Sequence, residues 1–259
     1  MKKNILFIGY GDLGSRLASI GQDDLVITGI SRSLKPTIVP DQYHSIDWFN
    51  NPTQKVDLLK NYDCLVITLT PTSFDEAGYE KGYEEGMKII SKLVKNISFK
   101  KSLLISSTRV YRESEEPINE LSNVNSEDFR AKSLLESEAI YLEGINSSQK
   151  TIFRLSGLYD PKMKDKLFDK QIDEFQNKLI PISANLNRLS RDQAATIIMN
   201  FCINKTDLLL LNVSEPTVLA KERFKMLFPE KNFDDFFCID NPGKQLDISN
   251  LLKSKLLDG

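Results

Sequence analysis

The sequence predicts a doubly wound α/β fold: a parallel sheet covered by helices on both faces, with a smaller region built onto its C-terminal half. Three observations predict it. Apolar runs of strand length alternate with helical periodicity over roughly the first 155 residues, the order in which strand–helix–strand units stack into a parallel sheet. The runs are nearly all apolar rather than alternating, so both faces of the sheet need cover. The first run ends in three glycines that open a helical pattern, "ILFIGYGDLGSRL".

The elements follow in order. Ile5–Ile8 is the first strand, and Leu13, Leu17 and Ile20 then recur at helical spacing. Leu25–Ile30 is a second strand, and Cys64–Leu69 a third, closed by Pro71. Tyr79–Val94 reads as a helix, Ser102–Ser106 as a strand, Arg130–Leu142 as a helix and Thr151–Leu155 as a strand. After Gly157 the pattern loosens into the polar "LYDPKMKDK". Leu186–Asn200 regains order, "DLLLLNVSE" is one more strand, and the tail from Pro216 is helical and mixed.

Composition bounds the function. The chain has 259 residues, 41% hydrophobic and 27% charged, a soluble globular profile that buries a core without staples. A net charge of −2 offers no general attraction for nucleic acid or an anionic membrane. Cys64, Cys202 and Cys238 are odd in number and scattered. That fits a reducing compartment, and neither a disulfide framework nor a zinc site. The N-terminal apolar run is too short for a signal peptide and nothing approaches a membrane span, so a cytoplasmic location is expected.

The glycines meet the conditions for a phosphate-binding turn. Gly9 permits the tight turn, Gly11 lets the backbone approach a pyrophosphate, and Gly14 lets helix and strand pack closely. Asp12 and Leu13 stand in the first helical turn, whose amides and dipole favour an anion. The bland alternative is a tight corner without a ligand. An acid about 20 residues onward would bind the ribose diol of NAD. Here the second strand ends "ITGISRS", with Ser31, Arg32 and Ser33 in that place. An arginine there can pair with a ribose phosphate, which favours NADP over NAD. A solvated surface cation is the other reading of Arg32.

Several later segments carry a resemblance. "LLISSTRVYRESEEPINE", "TIFRLSGLYDP", "NRLSRDQAATII", "LLNVSEPTV" and "YEKGYEEGMKII", together with the glycine turn, resemble the extended short-chain dehydrogenase/reductase superfamily. The resemblance is to its NAD-dependent epimerase/dehydratase group, in a short, atypical form, over roughly residues 1–220. It implies a Rossmann sheet of about seven strands with the pocket at their carboxyl ends. Residues 1–157 and 187–215 would form the dinucleotide-binding domain, and 158–186 with 216–259 a small substrate-capping region. By resemblance, Gly9, Gly11 and Gly14 hold the pyrophosphate, Arg32 sits by the adenosine ribose and Asp47 near the adenine. Leu69, Thr70 and Pro71 line the ribose–nicotinamide path. Ser107 matches the catalytic hydroxyl, and Arg154 and Gly157 shape the nicotinamide end. The implied ligands are NADP, with NAD as alternative, and a sugar nucleotide or small carbonyl substrate. Pairing of two chains through helices of the dinucleotide domain is a further implication.

The pattern breaks at the chemistry. The family uses a Tyr-x-x-x-Lys pair, in which a tyrosinate moves the substrate proton. "SEDFRAKSLLESEAIYL" does not carry it. Anchoring on Glu138 puts Arg130 at the tyrosine position and Leu134 at the lysine position, and no other register yields the tyrosine. Arginine cannot shuttle a proton near neutral pH, though it could bind a phosphate or carboxylate. Tyr111 either donates a proton or, more simply, packs under the sheet edge. Glu113, Glu115 and Glu116 read as a solvated loop, and Glu120 as a structural hydrogen-bonding residue. His44, the single histidine, reads as a surface or satisfied loop residue, which leaves no Ser-His-Asp triad. The expectation is an epimerase/dehydratase-like oxidoreductase with an atypical site. The alternative is a non-catalytic NADP(H)-binding sensor or scaffold.

Overall fold

Five of the strands begin or end within a few residues of the apolar runs above, and the reason is burial on both sides. The computed structural model describes residues 1–32, 36–51, 56–160, 183–227, 229–230 and 243–257. Ser33, Cys238 and residues 161–182 of the expected capping region lie outside the described residues. The strands are β1 (Lys3–Ile8), β2 (Leu25–Ser31), β3 (Gln42–Ser45), β4 (Asn61–Thr68), β5 (Ser98–Ser107) and β6 (Lys150–Leu155). Then come β7 (Gly157–Tyr159), β8 (Asn185–Leu186), β9 (Arg188–Ser190), β10 (Leu210–Val213) and β11 (Val218–Leu219). Seven of them form one sheet in the order β10-β6-β5-β4-β1-β2-β3, parallel throughout. This is the doubly wound sheet that the sequence predicts.

β1 shows why its run is unbroken. Ile5 and Phe7 enter one core with Leu17, Ile197 and Phe201. Leu6 and Ile8 enter the other with Met87, Ile90 and Tyr141. Successive residues point to opposite faces, so a strand covered on both sides needs an apolar residue at every position. β3 was not legible by this criterion. Its four residues, Gln42–Ser45, are polar and only partly buried, as suits the edge of the sheet.

The helices are α1 (Asp12–Ile20), α2 (Glu76–Tyr79), α3 (Gly86–Leu93), α4 (Phe129–Gly144), α5 (Arg191–Ile203), α6 (Ala220–Leu227) and α7 (Ser249–Lys253). α1 and α5 cover one face, α3 and α4 the other. The helix expected at Tyr79–Val94 is three pieces: α2, a π-helical turn Glu80–Glu85, and α3. Gly82 lies against the end of β4, where a Cβ would overlap the Thr70 carbonyl oxygen and crowd Pro71 Cα.

Outside the main sheet, β7 pairs with β9 and β8 with β11. Cys64 on β4 and Cys202 on α5, scattered in sequence, meet with their sulfurs 3.8 Å apart in the core. Among the described residues no helix is long and apolar enough to cross a membrane.

Several tyrosines are buried with their hydroxyls bonded inside the protein. Tyr141 shares a 2.7 Å hydrogen bond with Ser102, and burial pushes its phenol well above the usual range. Burial likewise raises Tyr10 from 10.0 to about 12. A folded pKa above the unfolded one means stabilisation that is complete below the unfolded value and lost as pH rises through the folded one. Thermal stability should therefore fall from pH 10 towards 12. Tyr10→Phe should flatten that fall, read as melting temperature against pH.

Candidate functional site

The strand order reverses between β1 and β4, and ligands of open α/β sheets bind at such a switch point. The chain is shaped there by three glycines with different duties. Gly9 ends β1 with φ +82°, a left-handed conformation that only glycine adopts readily. A Cβ at Gly9 would also overlap the carbonyl oxygen of Thr68, the last residue of β4. The Thr68 hydroxyl donates to the Gly9 carbonyl at 2.8 Å. The amides of Gly9 and Tyr10 both donate to Ile30 of β2, at 2.8 and 2.9 Å. Gly11 then faces open space, with Gly9 O, 3.7 Å from a Cβ position, the nearest atom. Gly11 is the N-cap of α1, and no side chain caps that end. Asp12 and Leu13 thus lead the helix with amides that can meet an anion.

Gly14 departs from its expected duty of spacing helix from strand. Its Cβ would lie 2.6 Å from the ring of Tyr10. That ring is gripped from the other side by Gly29, whose Cβ would lie 2.8 Å away. The Tyr10 hydroxyl donates to Ile38 O at 2.9 Å. The middle residue of the glycine turn is therefore a wedge, and Gly14 makes room for it.

The turn opens into a cleft of about 540 Å³ lined by Gly9, Gly11, Arg32, Asp47, Leu69 and Thr70 among others. Pro71, Asp12, Leu13, Gly14, Ser107 and Arg154 are expected site residues that do not line it. Trp48, Phe49, Lys81 and Gly82 line it and were not anticipated. Arg32 lies 5.6 Å from the Trp48 ring centre and 5.3 Å from that of Phe49. Lys81 lies 5.4 Å from Phe49. Both cations thus rest on one aromatic ledge. The Asp47 carboxylate accepts from Asn50 Nδ2 at 2.7 Å and from the amides of Phe49 and Asn50. Those bonds, the Asn50 side chain foremost, with the charge of Arg32, hold it below the usual carboxylate range. His44 is not a satisfied loop residue: its Nε2 is buried with no hydrogen-bond partner among the described residues.

Arg154, expected at the nicotinamide end, is committed elsewhere. It is buried and grips Glu138 of α4 with two bonds, 3.0 and 2.6 Å. Ser106 donates to the same carboxylate at 2.5 Å. Burial opposes the Arg154 charge, but Glu138 outweighs it and holds the guanidinium above its ordinary value. Arg154 also stacks on Tyr111, 4.9 Å to the ring centre. The Tyr111 hydroxyl donates to Asn212 of β10 at 2.7 Å, so Tyr111 packs rather than faces a ligand. Glu120 accepts from Asn212 N and Asn250 Nδ2, the structural role expected of it.

Ser107 ends β5 and accepts from the Arg109 amide at 3.2 Å. That bond occupies one of its two lone pairs, and its hydroxyl hydrogen remains to donate. On α4, Arg130 stacks on Phe129 at 4.6 Å and stands 3.7 Å from Asp128. Leu134 is buried. Neither position carries a proton-transferring group.

Gly157 serves Arg188, also unanticipated: a Cβ there would fall 2.8 Å from Arg188 Nη1. Arg188 is partly buried on β9. Burial, then the nearby Arg223, lowers its pKa, and no carboxylate among the described residues offsets them. Arg223 itself pairs with Glu215 and stacks on Tyr159. The "NRLS" segment, quoted above for its resemblance, was the available signal for Arg188.

This architecture has close counterparts. UDP-glucuronic acid 4-epimerase of Bacillus cereus, solved with NAD, matches with TM-score 0.73 over 99% of this chain and 94% of that one, at 17% identity. UDP-N-acetylglucosamine 4-epimerase of Methanobrevibacter ruminantium, solved with UDP-N-acetylmuramic acid, matches with TM-score 0.71 over 98% and 92%, at 18% identity. A Methylobacillus flagellatus protein assigned to the NAD-dependent epimerase/dehydratases matches with TM-score 0.71 over 98% and 92%, at 23% identity. The chain shares the fold of these proteins, a Rossmann-type parallel sheet with helices on both faces. No protein-family model and no curated protein matches the sequence. At these identities the epimerase/dehydratase fold is what the likeness establishes.

Two substitutions separate the glycines. Gly9→Ala should cost about 1–3 kcal/mol in backbone strain alone, with the clash added. Gly11→Ala should leave the melting temperature within a few degrees and weaken any dinucleotide, measured by calorimetry. Removing one partner of the buried pair, as Glu138→Ala, should cost about 3–5 kcal/mol in a denaturant titration.

Proposed function

We propose that the protein is a nicotinamide-dinucleotide-dependent oxidoreductase of the epimerase/dehydratase kind, acting on a sugar nucleotide. The observation that carries this reading is the open, uncapped backbone at Gly11 and the head of α1, set at the switch point of the sheet. A diphosphate fits there because glycine leaves the approach clear and the helix start presents amides. Arg32, Asp47 and the ledge of Trp48 and Phe49 then receive the adenosine end. Two cations, Arg32 and Lys81, stand at that end, and they favour a 2′-phosphate, hence NADP. The related folds solved with NAD support the dinucleotide itself.

A nicotinamide bound in the cleft would supply and accept the hydride. Ser107 donates its hydroxyl hydrogen to the substrate oxygen and so polarises it. Arg188, a guanidinium that no carboxylate among the described residues offsets, holds a phosphate of the substrate. Neighbouring folds bind UDP-sugars, which agrees with an anion site outside the cofactor cleft. The small capping region that begins after Gly157, beside Arg188, would then choose the substrate.

A second reading, a cofactor-binding sensor without turnover, is favoured by one observation. The two α4 positions that should carry the acid–base pair hold Arg130 and the buried Leu134. Steady-state turnover of UDP-sugars, compared between wild type and Ser107→Ala, separates the readings. Equal, negligible rates in both favour the sensor.

Cofactor choice has its own measurement. Arg32→Ala should weaken NADPH by about tenfold to a hundredfold, the value of a lost charged hydrogen bond, and NADH by much less. Equal losses for both would remove the preference for NADP. No binding of either by wild type would end the cofactor reading.

A further inference from the structure

The cofactor cleft gives no part to the cysteines, yet two of them meet. Cys64 lies in β4, beside Ile5 of β1 and Lys101 of β5. Cys202 lies in the last turn of α5, 138 residues further along the chain. Both are fully buried, in the core that α1 and α5 cover. The Cys202 thiol donates to the Cys64 sulfur, with 3.8 Å between the two. A disulfide holds its sulfurs at about 2.05 Å, so an approach of about 1.8 Å completes one. Cys202 stands next to the last residue of its helix, where helices fray most readily.

A second observation gives the pair an entrance. A cavity of about 300 Å³ lies at the amino ends of the strands, away from the Gly11 cleft, and Cys202 and Lys101 are among its walls. Lys100, Lys205 and Asp207 line it too and are exposed, so it opens to solvent. The Lys101 ammonium is anchored there by the carbonyl oxygens of Phe201 and Asn204, the latter at 2.8 Å. Its nitrogen lies 5.0 Å from the centre of the Phe201 ring, the residue before Cys202. Burial pushes the Cys64 thiol up, Cys202 adds to the rise, and Lys101 opposes it. The pair is therefore protonated and free at rest, and a thiolate formed there meets a cation.

We propose that Cys64 and Cys202 are an oxidation site, at which hydrogen peroxide entering by this cavity turns the two thiols into a disulfide between β4 and α5. Cys202 lines the cavity and reacts first. Its thiolate attacks one peroxide oxygen, the O–O bond breaks, an S–O bond forms and water leaves with the thiol proton. Cys64 then attacks the Cys202 sulfur. The S–O bond breaks, the S–S bond forms, and the hydroxyl leaves as water with the Cys64 proton. The pair loses two electrons, and both peroxide oxygens end as water. The bond ties residues 138 apart, and closing so long a loop restricts the unfolded chain strongly. The oxidised protein therefore resists unfolding. The site stands apart from the dinucleotide cleft, so neither assignment depends on the other.

The test counts free thiols in the full chain. Reduced protein is exposed to hydrogen peroxide while folded, then unfolded in an alkylating reagent and weighed by mass spectrometry. Untreated wild type should take three labels, one for each cysteine. Treated wild type should take none at Cys64 or Cys202, peptide mapping should join those two, and dithiothreitol should restore their labels. Cys238→Ala should form the same cross-link. Cys64→Ala should stop at a sulfenic acid on Cys202, captured by dimedone. Oxidised wild type should melt about 5–15 °C above the reduced protein, and peroxide should give Cys202→Ala no such rise. Free thiols at Cys64 and Cys202 after treatment, a cross-link through Cys238, or an oxidised protein that melts no higher than the reduced one overturns the assignment.

Discussion

The site depends on the contact between Gly9 and Thr68. Their contact joins the carboxyl ends of β1 and β4, the two strands between which the sheet changes direction. It needs a residue without a side chain and with a positive φ, and the threonine hydroxyl locks it by a hydrogen bond. From it follow the turn back to Ile30, the exposed position of Gly11 and the start of α1. An added methyl anywhere else in the cleft narrows it. At Gly9 it would force two central strands apart.

A second constraint holds the other half of the sheet. Ser106, Glu138, Arg154, Tyr111, Asn212 and Glu120 form one buried polar string across β5, α4, β6 and β10. Buried charge is tolerated only when paired and hydrogen-bonded, and here each member has a partner. The string fixes α4 against the strand ends. It also explains why Arg154 is not a ligand group: its charge is already answered inside the protein.

The segment over β4 links these two constraints. Gly78 lies against Ser73 and Gly82 against Thr70 and Pro71, so the helix rests on the backbone that follows β4. That closeness, with the π-helical turn, sets three neighbouring side chains in three directions. Lys81 faces the cleft beside Phe49, Tyr83 packs beside Tyr79, and Glu84 ties the segment to Ser133 of α4.

The sheet was legible because its cause is local. A strand buried on both faces needs a run of apolar residues, and the apolar runs within β1, β2, β4, β5 and β6 announce them. The glycine turn was legible because backbone conformation restricts residue type at fixed spacing. β3 was not, because an edge strand of Gln42–Ser45 buries too little to mark its sequence. The site divides in the same way. Gly9, Gly11, Arg32, Asp47, Leu69 and Thr70 were placed by motif and do line the cleft. The commitment of Arg154 to Glu138, the wedge of Tyr10 between Gly14 and Gly29, the approach of Lys81 to Phe49 and the nearness of Arg188 to Arg223 were decided by tertiary structure alone. Each depends on which side chain meets which across elements far apart in the chain. Burial and pairing belong to such meetings, and no single stretch of sequence contains both partners.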